Sequence, residues 1–200
     1  MFGFTGVSPE EGQIGTKVEI AGTSLLAGGT TVANLTLAGA EVLAIVSATD
    51  TLIVVTVGAN GSATTGTVSY VMDSDATVES AEDLWTYLDA SKVDTVEPNN
   101  GQFKTEIVIS GSALFGGGSS IASVTLADAT ATIEDGSDTE ITVIAGANDA
   151  GEGDVVITSD TGASTTVEDG FTYEAVAAIT SVSPSSGQLD TVVTITGTAL

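Results

Sequence analysis

The sequence predicts an all-β protein built from tandem two-sheet sandwich domains, and three observations support this fold class. A phrase in which a Pro is followed three residues later by Gly-Gln occurs at residues 7–13, 96–102 and 182–188. Between these phrases, short apolar runs of period two alternate with Gly- and Asp-rich turns, as is typical of strands. No segment keeps an apolar stripe of helical period. Roughly seven strands in about 90 residues are the pattern of a sandwich.

Each unit is predicted to contain the same strands in the same order, beginning around Val7 in the first unit and around Val96 in the second. Apolar residues alternate along each segment, so one face of every strand is expected to point to the core. The matching segments are residues 17–21 and 106–110, 32–37 and 121–126, 41–46 and 130–134, 52–57 and 140–144, 67–71 and 154–158, and 84–87 and 170–173.

The Pro and Gly of the repeated phrase have structural reasons. Pro is tolerated at the start of a strand or at a sheet edge, which is where Pro9, Pro98 and Pro184 are predicted to lie. The glycines that follow are predicted to adopt positive φ in a turn, which glycine does without steric cost. These are Gly12, Gly101 and Gly187.

The spacing of the repeats predicts the domain organisation. The three prolines are 89 and 86 residues apart, which indicates two complete units, residues 1–90 and 91–176, and the start of a third, residues 177–200. Such a short third fragment cannot bury a sandwich core by itself. Truncation of a longer tandem protein explains it, and donation of these strands to a neighbouring subunit is the alternative. Truncation is favoured because unit 1 already has the equivalent strands.

The composition excludes several classes of function. The chain has no His, no Cys and no Arg, so Ser-His-Asp catalysis and zinc sites built on thiolate or imidazole are excluded. A catalytic carboxylate pair stays formally open. However, aromatic residues, which usually line a sugar cleft, make up only 4% of the chain. We therefore expect a protein that is not an enzyme and that has no resident cofactor.

The charge is strongly acidic and is spread over both complete units. The formal net charge is −24, from 27 acidic residues and three lysines, with 11 acidic residues in unit 1 and 15 in unit 2. Nucleic acids and anionic membrane surfaces are rejected as partners, because both require cations on the protein. Two interpretations remain. The acidic surface keeps the protein soluble by self-repulsion, or it collects Ca²⁺ or works in salty water.

The apolar runs are too short for membrane insertion. The densest one, residues 52–57, has six residues, whereas a spanning helix needs about 20. Residues 1–4 lack the basic and apolar regions of a signal peptide, so any such signal is expected to have been removed or to lie outside this segment. The acidic, Ser- and Thr-rich composition favours an extracellular or cell-surface location.

Three acidic clusters are candidate Ca²⁺ sites, since Ca²⁺ prefers six to eight oxygen ligands. The leading candidate ligands are Asp149, Glu152 and Asp154, and the other two clusters lie at residues 73–75 and 135–138. None of them has the spacing of an EF-hand loop. Ordinary Asp-rich turns are the simpler interpretation of all three.

Two asparagines fit the sequon for N-glycosylation, Asn34 and Asn60. Asn60 lies in a predicted turn and is the better acceptor, whereas Asn34 lies on a predicted strand.

The aromatic residues have two interpretations, a sugar-binding platform or core packing. Trp85 aligns with Phe171 on the last strand of each unit, which favours core packing. The other candidates for a platform are Tyr70, Tyr87 and Tyr173.

The order of motifs in each unit resembles the IPT/TIG family. The motifs are Pro-x-x-Gly-Gln, then Thr-x-Val-x-Ile-x-Gly, then a last strand that ends in an aromatic residue, and the resemblance covers residues 4–87, 93–173 and 179–200. It implies immunoglobulin-like domains of a kind found in cell-surface receptors, bacterial surface proteins and some transcription factors. The transcription factors contact DNA through basic loops, which this sequence lacks, so the resemblance implies the surface branch. The glycines of the second motif are Gly22, Gly111 and Gly197.

The connectors between units predict stiff joints. Tyr87 to Pro98 and Tyr173 to Pro184 are both 11 residues, and the segments between them lack Gly and Pro before the next phrase. We therefore expect a rod: a structural or adhesive extracellular protein in a filament, appendage or adhesin, whose partners are like subunits. The alternative is an accessory module of a larger surface protein that binds glycans or acts in receptor-type recognition. An exposed aromatic strip on one unit would favour that alternative.

Overall fold

The computed structural model describes residues 3–199, and every regular element within that range is a β-strand. Residues 3–87 form domain 1, with strands β1 (Gly3–Ser8), β2 (Glu11–Gly12), β3 (Lys17–Thr23), β4 (Val32–Leu37), β5 (Ala40–Glu41), β6 (Ala44–Ala48), β7 (Leu52–Thr56), β8 (Thr64–Gly66), β9 (Val68–Met72), β10 (Thr77–Glu79) and β11 (Trp85–Tyr87).

Residues 92–173 form domain 2, and a hairpin follows it. Domain 2 contains β12 (Lys92–Glu97), β13 (Asn100–Gly101), β14 (Glu106–Ser112), β15 (Ile121–Leu126), β16 (Ala129–Thr130), β17 (Thr132–Gly136), β18 (Glu140–Ile144), β19 (Gly151–Ser159) and β20 (Ser164–Tyr173). The hairpin consists of β21 (Ala178–Ser183) and β22 (Thr194–Thr198).

The two domains have the same topology. One sheet of each domain has the order β1-β3-β7-β6 in domain 1 and β12-β14-β18-β17 in domain 2. The second sheet has the order β13-β20-β19-β15-β16 in domain 2. In domain 1 its strands are divided between β10-β9-β4-β5 and β2-β11-β8. The predicted all-β sandwich class is therefore confirmed.

The first two strands of each repeat pair in the same register. In all three pairs the ladder is antiparallel and shifts by one residue just after a glycine pairs with the second residue of the opening strand. A shared irregularity of this kind is a built feature of a fold. The glycine pairs are Phe4–Gly22, Val93–Gly111 and Ile179–Gly197.

Each domain has its own apolar core between its two sheets. In domain 1, Val18 and Ile20 of β3 are fully buried and belong to one cluster with Leu35 and Trp85 from the second sheet. In domain 2 the cluster is formed in the same way, and Phe171 occupies the place of Trp85. Alternation along the strands places these side chains inward because successive residues point to opposite faces.

The glycines of the repeated phrase correct one prediction. None of the three has positive φ. A Cβ on Gly12 would instead lie 2.6 Å from Oγ1 of Thr16, too close for real atoms, and Gly101 and Gly187 lie in the same way against Thr105 and Thr191. Each Thr hydroxyl accepts a hydrogen bond from the amide of the following Gln. The glycines are therefore required by a close side-chain contact, and not by their backbone angles.

The strand count of the sequence prediction was too simple. The segments predicted as single strands at 41–46 and 130–134 each break into two short strands. In domain 1, β10 and β11 are separate, whereas the corresponding β20 of domain 2 is continuous. The break in domain 1 begins at Ser80, whose side chain accepts a hydrogen bond from the Val68 amide and donates one to the carbonyl of Glu82. A local side-chain partner thus competes with the ladder.

Candidate functional site at the domain junction

The most elaborate polar arrangement in the described chain joins domain 1 to domain 2. Gln13 lies in the loop between β2 and β3, and only 3% of its surface is exposed. Its Nε2 donates to Oγ of Ser91 in the connector, and its Oε1 accepts from the Ser91 amide at 2.6 Å. Ser91 Oγ donates in turn to the carbonyl of Ala113 in domain 2, also at 2.6 Å. The three residues form a continuous hydrogen-bonded bridge between the domains.

Backbone atoms of the two domains also meet directly. The amide of Lys17 in domain 1 donates to the carbonyl of Thr161 in domain 2 at 2.8 Å. Gly15 has φ +88, and a Cβ there would lie 2.9 Å from the carbonyl oxygen of Gly162. Such a contact allows no side chain at Gly15 unless the domains move apart.

A second glycine makes room for the glutamine. A Cβ on Gly116, in the loop after β14, would lie 2.4 Å from Nε2 of Gln13 and 2.7 Å from Cβ of Ala163. The corresponding loop of domain 1 has Ala27 with similar backbone geometry, at φ 46 compared with 59 at Gly116. The glycine is thus present where a glutamine from the preceding domain must pack.

Sequence reasoning assigned no role to Gln13. The available signal was the recurrence of Gln at 102 and 188, directly after the glycine of each phrase. What the sequence did not reveal was its partner, because Ser91 is 78 residues away.

A groove of about 530 Å³ lies alongside the junction, lined by Lys17 and Glu19 of domain 1 and by Asp160 of domain 2, among others. The Asp160 carboxylate accepts hydrogen bonds from the hydroxyls of Ser119 and Ser120 and from the Ser119 amide. The Ser119 hydroxyl is the main cause that holds the pKa of Asp160 below its ordinary value. This interaction ties the turn after β19 to the start of β15.

We expect Asp160→Asn to remove a stabilisation that exists only above acidic pH. Because the folded-state pKa lies below the ordinary value of about 3.9, the wild type gains stability above that pH and loses it as the pH falls through the folded-state pKa. Thermal unfolding of the wild type and the variant should differ at about pH 7 and converge at about pH 2. Asp128→Asn, at an exposed turn of the same domain, is the control. An equal difference at both pH values would contradict the expectation.

The second junction reproduces only part of the first. The amide of Glu174 donates to the carbonyl of Gly101 at 2.7 Å, just as the amide of Leu88 donates to the carbonyl of Gly12 at 2.8 Å. Ala177 stands at the position equivalent to Ser91, however, and offers no hydroxyl. Nε2 of Gln102 donates instead to the carbonyl of Ala175 at 2.7 Å.

The β21–β22 hairpin exposes the residues that are buried in the complete domains. Val182, Val193 and Ile195 are all exposed, whereas Val18 and Ile20, the equivalents of the last two, are fully buried. No other strand within residues 3–199 pairs with this hairpin. Whether a longer chain or a neighbouring subunit covers it stays a prediction.

The candidate Ca²⁺ ligands are not gathered into a site. Among residues 3–199, no group of three or more acidic side chains has a metal-binding arrangement. Asp149 precedes β19, Glu152 and Asp154 lie on it, and all three are exposed. Asp154 accepts a hydrogen bond from the amide of Asp169. Ca²⁺ binding by these residues remains a prediction without support from the geometry.

Both sequon asparagines lie on the surface of domain 1. Asn60 is exposed in the loop before β8, where its Nδ2 donates to the carbonyl of Ser62 at 2.8 Å. Asn34 is exposed on β4, and its Nδ2 lies 3.3 Å from the carboxylate of Glu41. Glycosylation of either residue remains a prediction.

The aromatic residues of both cores are buried, as core packing predicted. Trp85 is fully buried and meets the Tyr87 ring edge-to-face, with centroids 5.7 Å apart, and Phe171 and Tyr173 repeat this contact. Burial raises the pKa of Tyr70 to about 12. These side chains therefore cannot form a sugar platform. Phe103 is the large aromatic that BUR-scale exposure leaves outside, with 57% of its surface accessible.

Helices that could cross a membrane are absent from residues 3–199.

Comparison with solved structures supports the fold. The extracellular region of plexin A4 matches with a TM-score of 0.54 and 18% identity, over 92% of this chain and 16% of that one. A Bacteroides ovatus protein from a mixed-linkage glucan utilization locus, in complex with a heptasaccharide, matches with a TM-score of 0.35, 18% identity, and coverage of 85% and 44%. A surface glycan-binding protein of Prevotella bryantii has a TM-score of 0.35, 17% identity, and coverage of 84% and 41%. This chain thus spans less than half of each of these proteins.

No curated protein matches the sequence. The family model for the IPT/TIG domain, in contrast, matches twice in tandem, at residues 4–86 and 91–173. The two matches include both complete cores and the motifs on which the resemblance depended. This chain belongs to the IPT/TIG domain family.

Proposed function

We propose that this chain is a non-catalytic segment of an extracellular structural or adhesive repeat protein, in which domains 1 and 2 act as a stiff spacer. The observation that carries the proposal is the junction. Gln13 is buried between the domains and bonded to Ser91, which continues the bridge to domain 2. A polar side chain buried and paired in this way resists separation, because its hydrogen-bonding groups would lose their partners.

The charge and composition support the same role. An acidic surface that extends over both domains prevents clumping of neighbouring rods. The lack of His, Cys and Arg removes the side chains that most enzymes use for acid-base and nucleophilic chemistry. In a filament, appendage or adhesin, such a segment holds other parts at a set distance, and its partners are like subunits or neighbouring domains.

Gln13→Ala tests the spacer directly. The variant leaves the Ser91 amide and hydroxyl without the glutamine, and we expect it to weaken the coupling between the domains by about 1–3 kcal/mol. Small-angle scattering of the wild type should fit one fixed arrangement of domains 1 and 2, and the variant should need an ensemble. Gln102→Ala is the matched control, since it changes the equivalent residue of the other junction. A wild type with freely reorienting domains would overturn the proposal.

Electron microscopy of native material tests the assembly. A filament with a regular axial repeat that is labelled by antibodies against this chain is the expected result. Isolated particles that bear a single copy would instead indicate an accessory module.

The second candidate function, glycan recognition by an accessory module, has one observation in its favour. A surface pocket of about 370 Å³ lies where domain 1 interrupts the sheet that is continuous in domain 2. Phe4 supplies an apolar wall, and Glu79 and Glu82 supply carboxylates that accept hydrogen bonds from sugar hydroxyls. Titration with glucan oligosaccharides, monitored by NMR shifts of Gly3 to Phe4, would reveal such binding. Shifts spread evenly over both domains, or none, would count against it.

A further inference from the structure

The two junctions of the chain have connectors of equal length, yet they differ at the positions that hold the first junction together. Ser91 is replaced by Ala177, and Gly15 is replaced by Lys104. We propose that the first junction is a locked joint and that the second is a hinge. This inference goes beyond the proposed function, which concerns only the arrangement of domains 1 and 2.

The first difference removes the polar bridge. In the first junction the Ser91 hydroxyl accepts from Gln13 and donates to Ala113, so one side chain connects the connector to both domains. Ala177 cannot make either hydrogen bond. The side chain of Gln102 is bonded to the carbonyl of Ala175, which lies in the connector itself. That bond fixes the connector to domain 2 and leaves whatever follows it free.

The second difference is steric and independent of the first. Gly15 and Lys104 have equivalent backbone conformations, with φ of +88 and +72, and their amides donate to the carbonyls of Val57 and Ala145 at 3.0 and 2.9 Å. A Cβ at Gly15 would lie 2.9 Å from the Gly162 carbonyl oxygen. Lys104 has such a Cβ. A third unit placed on domain 2 as domain 2 is placed on domain 1 would therefore collide with it.

The end of domain 2 is consequently left open. Phe103 is 57% exposed, and the ammonium of Lys104 lies 5.3 Å from the centroid of its ring. The equivalent residue of domain 1, Ile14, is partly covered and lies beside Leu88 and Ala90 of the first connector. An array with one locked and one hinged joint bends at a defined place.

The test converts the first junction into the second. The chain has no Cys, so Ala44→Cys in domain 1 and Thr132→Cys in domain 2 place two spin labels on exposed positions of β6 and β17. We expect a narrow distribution of distances in the otherwise unchanged chain, measured by double electron-electron resonance. Gly15→Lys with Ser91→Ala should broaden that distribution about twofold, since only a short chain then restrains the domains.

The controls separate the junction from general effects of the substitutions. Gly39→Lys has nearly the same backbone angle, with φ +84, and nothing within 4 Å of its Cβ position. Ser47→Ala removes an exposed hydroxyl from β6. Both should leave the distribution narrow.

The outcomes distinguish this inference from the proposed function. A distribution that is broad before any junction substitution would overturn the spacer, and with it the locked joint. A distribution that starts narrow and stays narrow in Gly15→Lys with Ser91→Ala would overturn the hinge alone, because these positions would then not decide the stiffness. Melting temperatures of both domains that match the Gly39→Lys control would show that broadening does not come from unfolding.

Discussion

Replacing Trp85 by Ala is expected to lower the free energy of unfolding of domain 1 by about 3–5 kcal/mol. The indole is fully buried, belongs to the core of domain 1 and contacts Tyr87 edge-to-face. Its removal leaves a cavity that the strands on either side cannot close, because close-packed interiors relax only in part. The loss therefore includes both the lost apolar burial and the cavity.

Hydrogen exchange read by mass spectrometry measures this effect, because peptides from domain 1 and domain 2 report separately. Faster exchange should be concentrated in domain 1. Phe103→Ala is the matched control, since it removes an aromatic ring that is mostly exposed, and it should cost no more than about 0.5 kcal/mol. A loss of less than about 1 kcal/mol for Trp85→Ala would contradict the assignment of this residue to the core.

Replacing Gly146 by Ala is expected to destabilise domain 2 by about 1–3 kcal/mol or more. A Cβ there would lie 2.2 Å from the carbonyl oxygen of Thr130, which is a backbone atom and cannot turn away. Gly58 in domain 1 has the same relation to the carbonyl oxygen of Glu41, at 2.1 Å. The repeat thus keeps a glycine wherever the chain after the last strand of the first sheet crosses the short edge strand.

Urea denaturation of the variant, followed by circular dichroism, measures the loss as a lower midpoint at unchanged slope. Gly151→Ala is the control at the start of β19, where a Cβ meets nothing within 4 Å. It should be neutral or stabilising by about 0.4–1 kcal/mol, because Ala restricts the unfolded chain more than Gly does. Equal losses in the two variants would show that the close contact at Gly146 is not the cause.

The periodicity of the strands was predictable because it depends on neighbours in the sequence. Val18 and Ile20 alternate with charged residues, and the structure buries the first two and exposes Glu19 between them. The role of Gly12 was predicted wrongly for a related reason. Positive φ is the common local explanation for a glycine, whereas the real constraint is Thr16, whose side chain folds back against it.

The candidate sites show the same division. Asp149, Glu152 and Asp154 are close in sequence, but alternation along a strand and the turn before it keep their side chains from converging. The bridge of Gln13 and Ser91 connects residues that are far apart in sequence, and only the packing of two domains brings them together.

The sequence by itself determined the class of fold, the repeat and the chemistry that this protein cannot perform, because these follow from residue types and short-range patterns. Only the tertiary structure decided which repeated residues join the domains. A glutamine that occurs three times gains a partner only where a serine stands in the connector and a glycine opens the facing loop. The junction depends on distances between atoms of separate domains, and no local pattern encodes those distances.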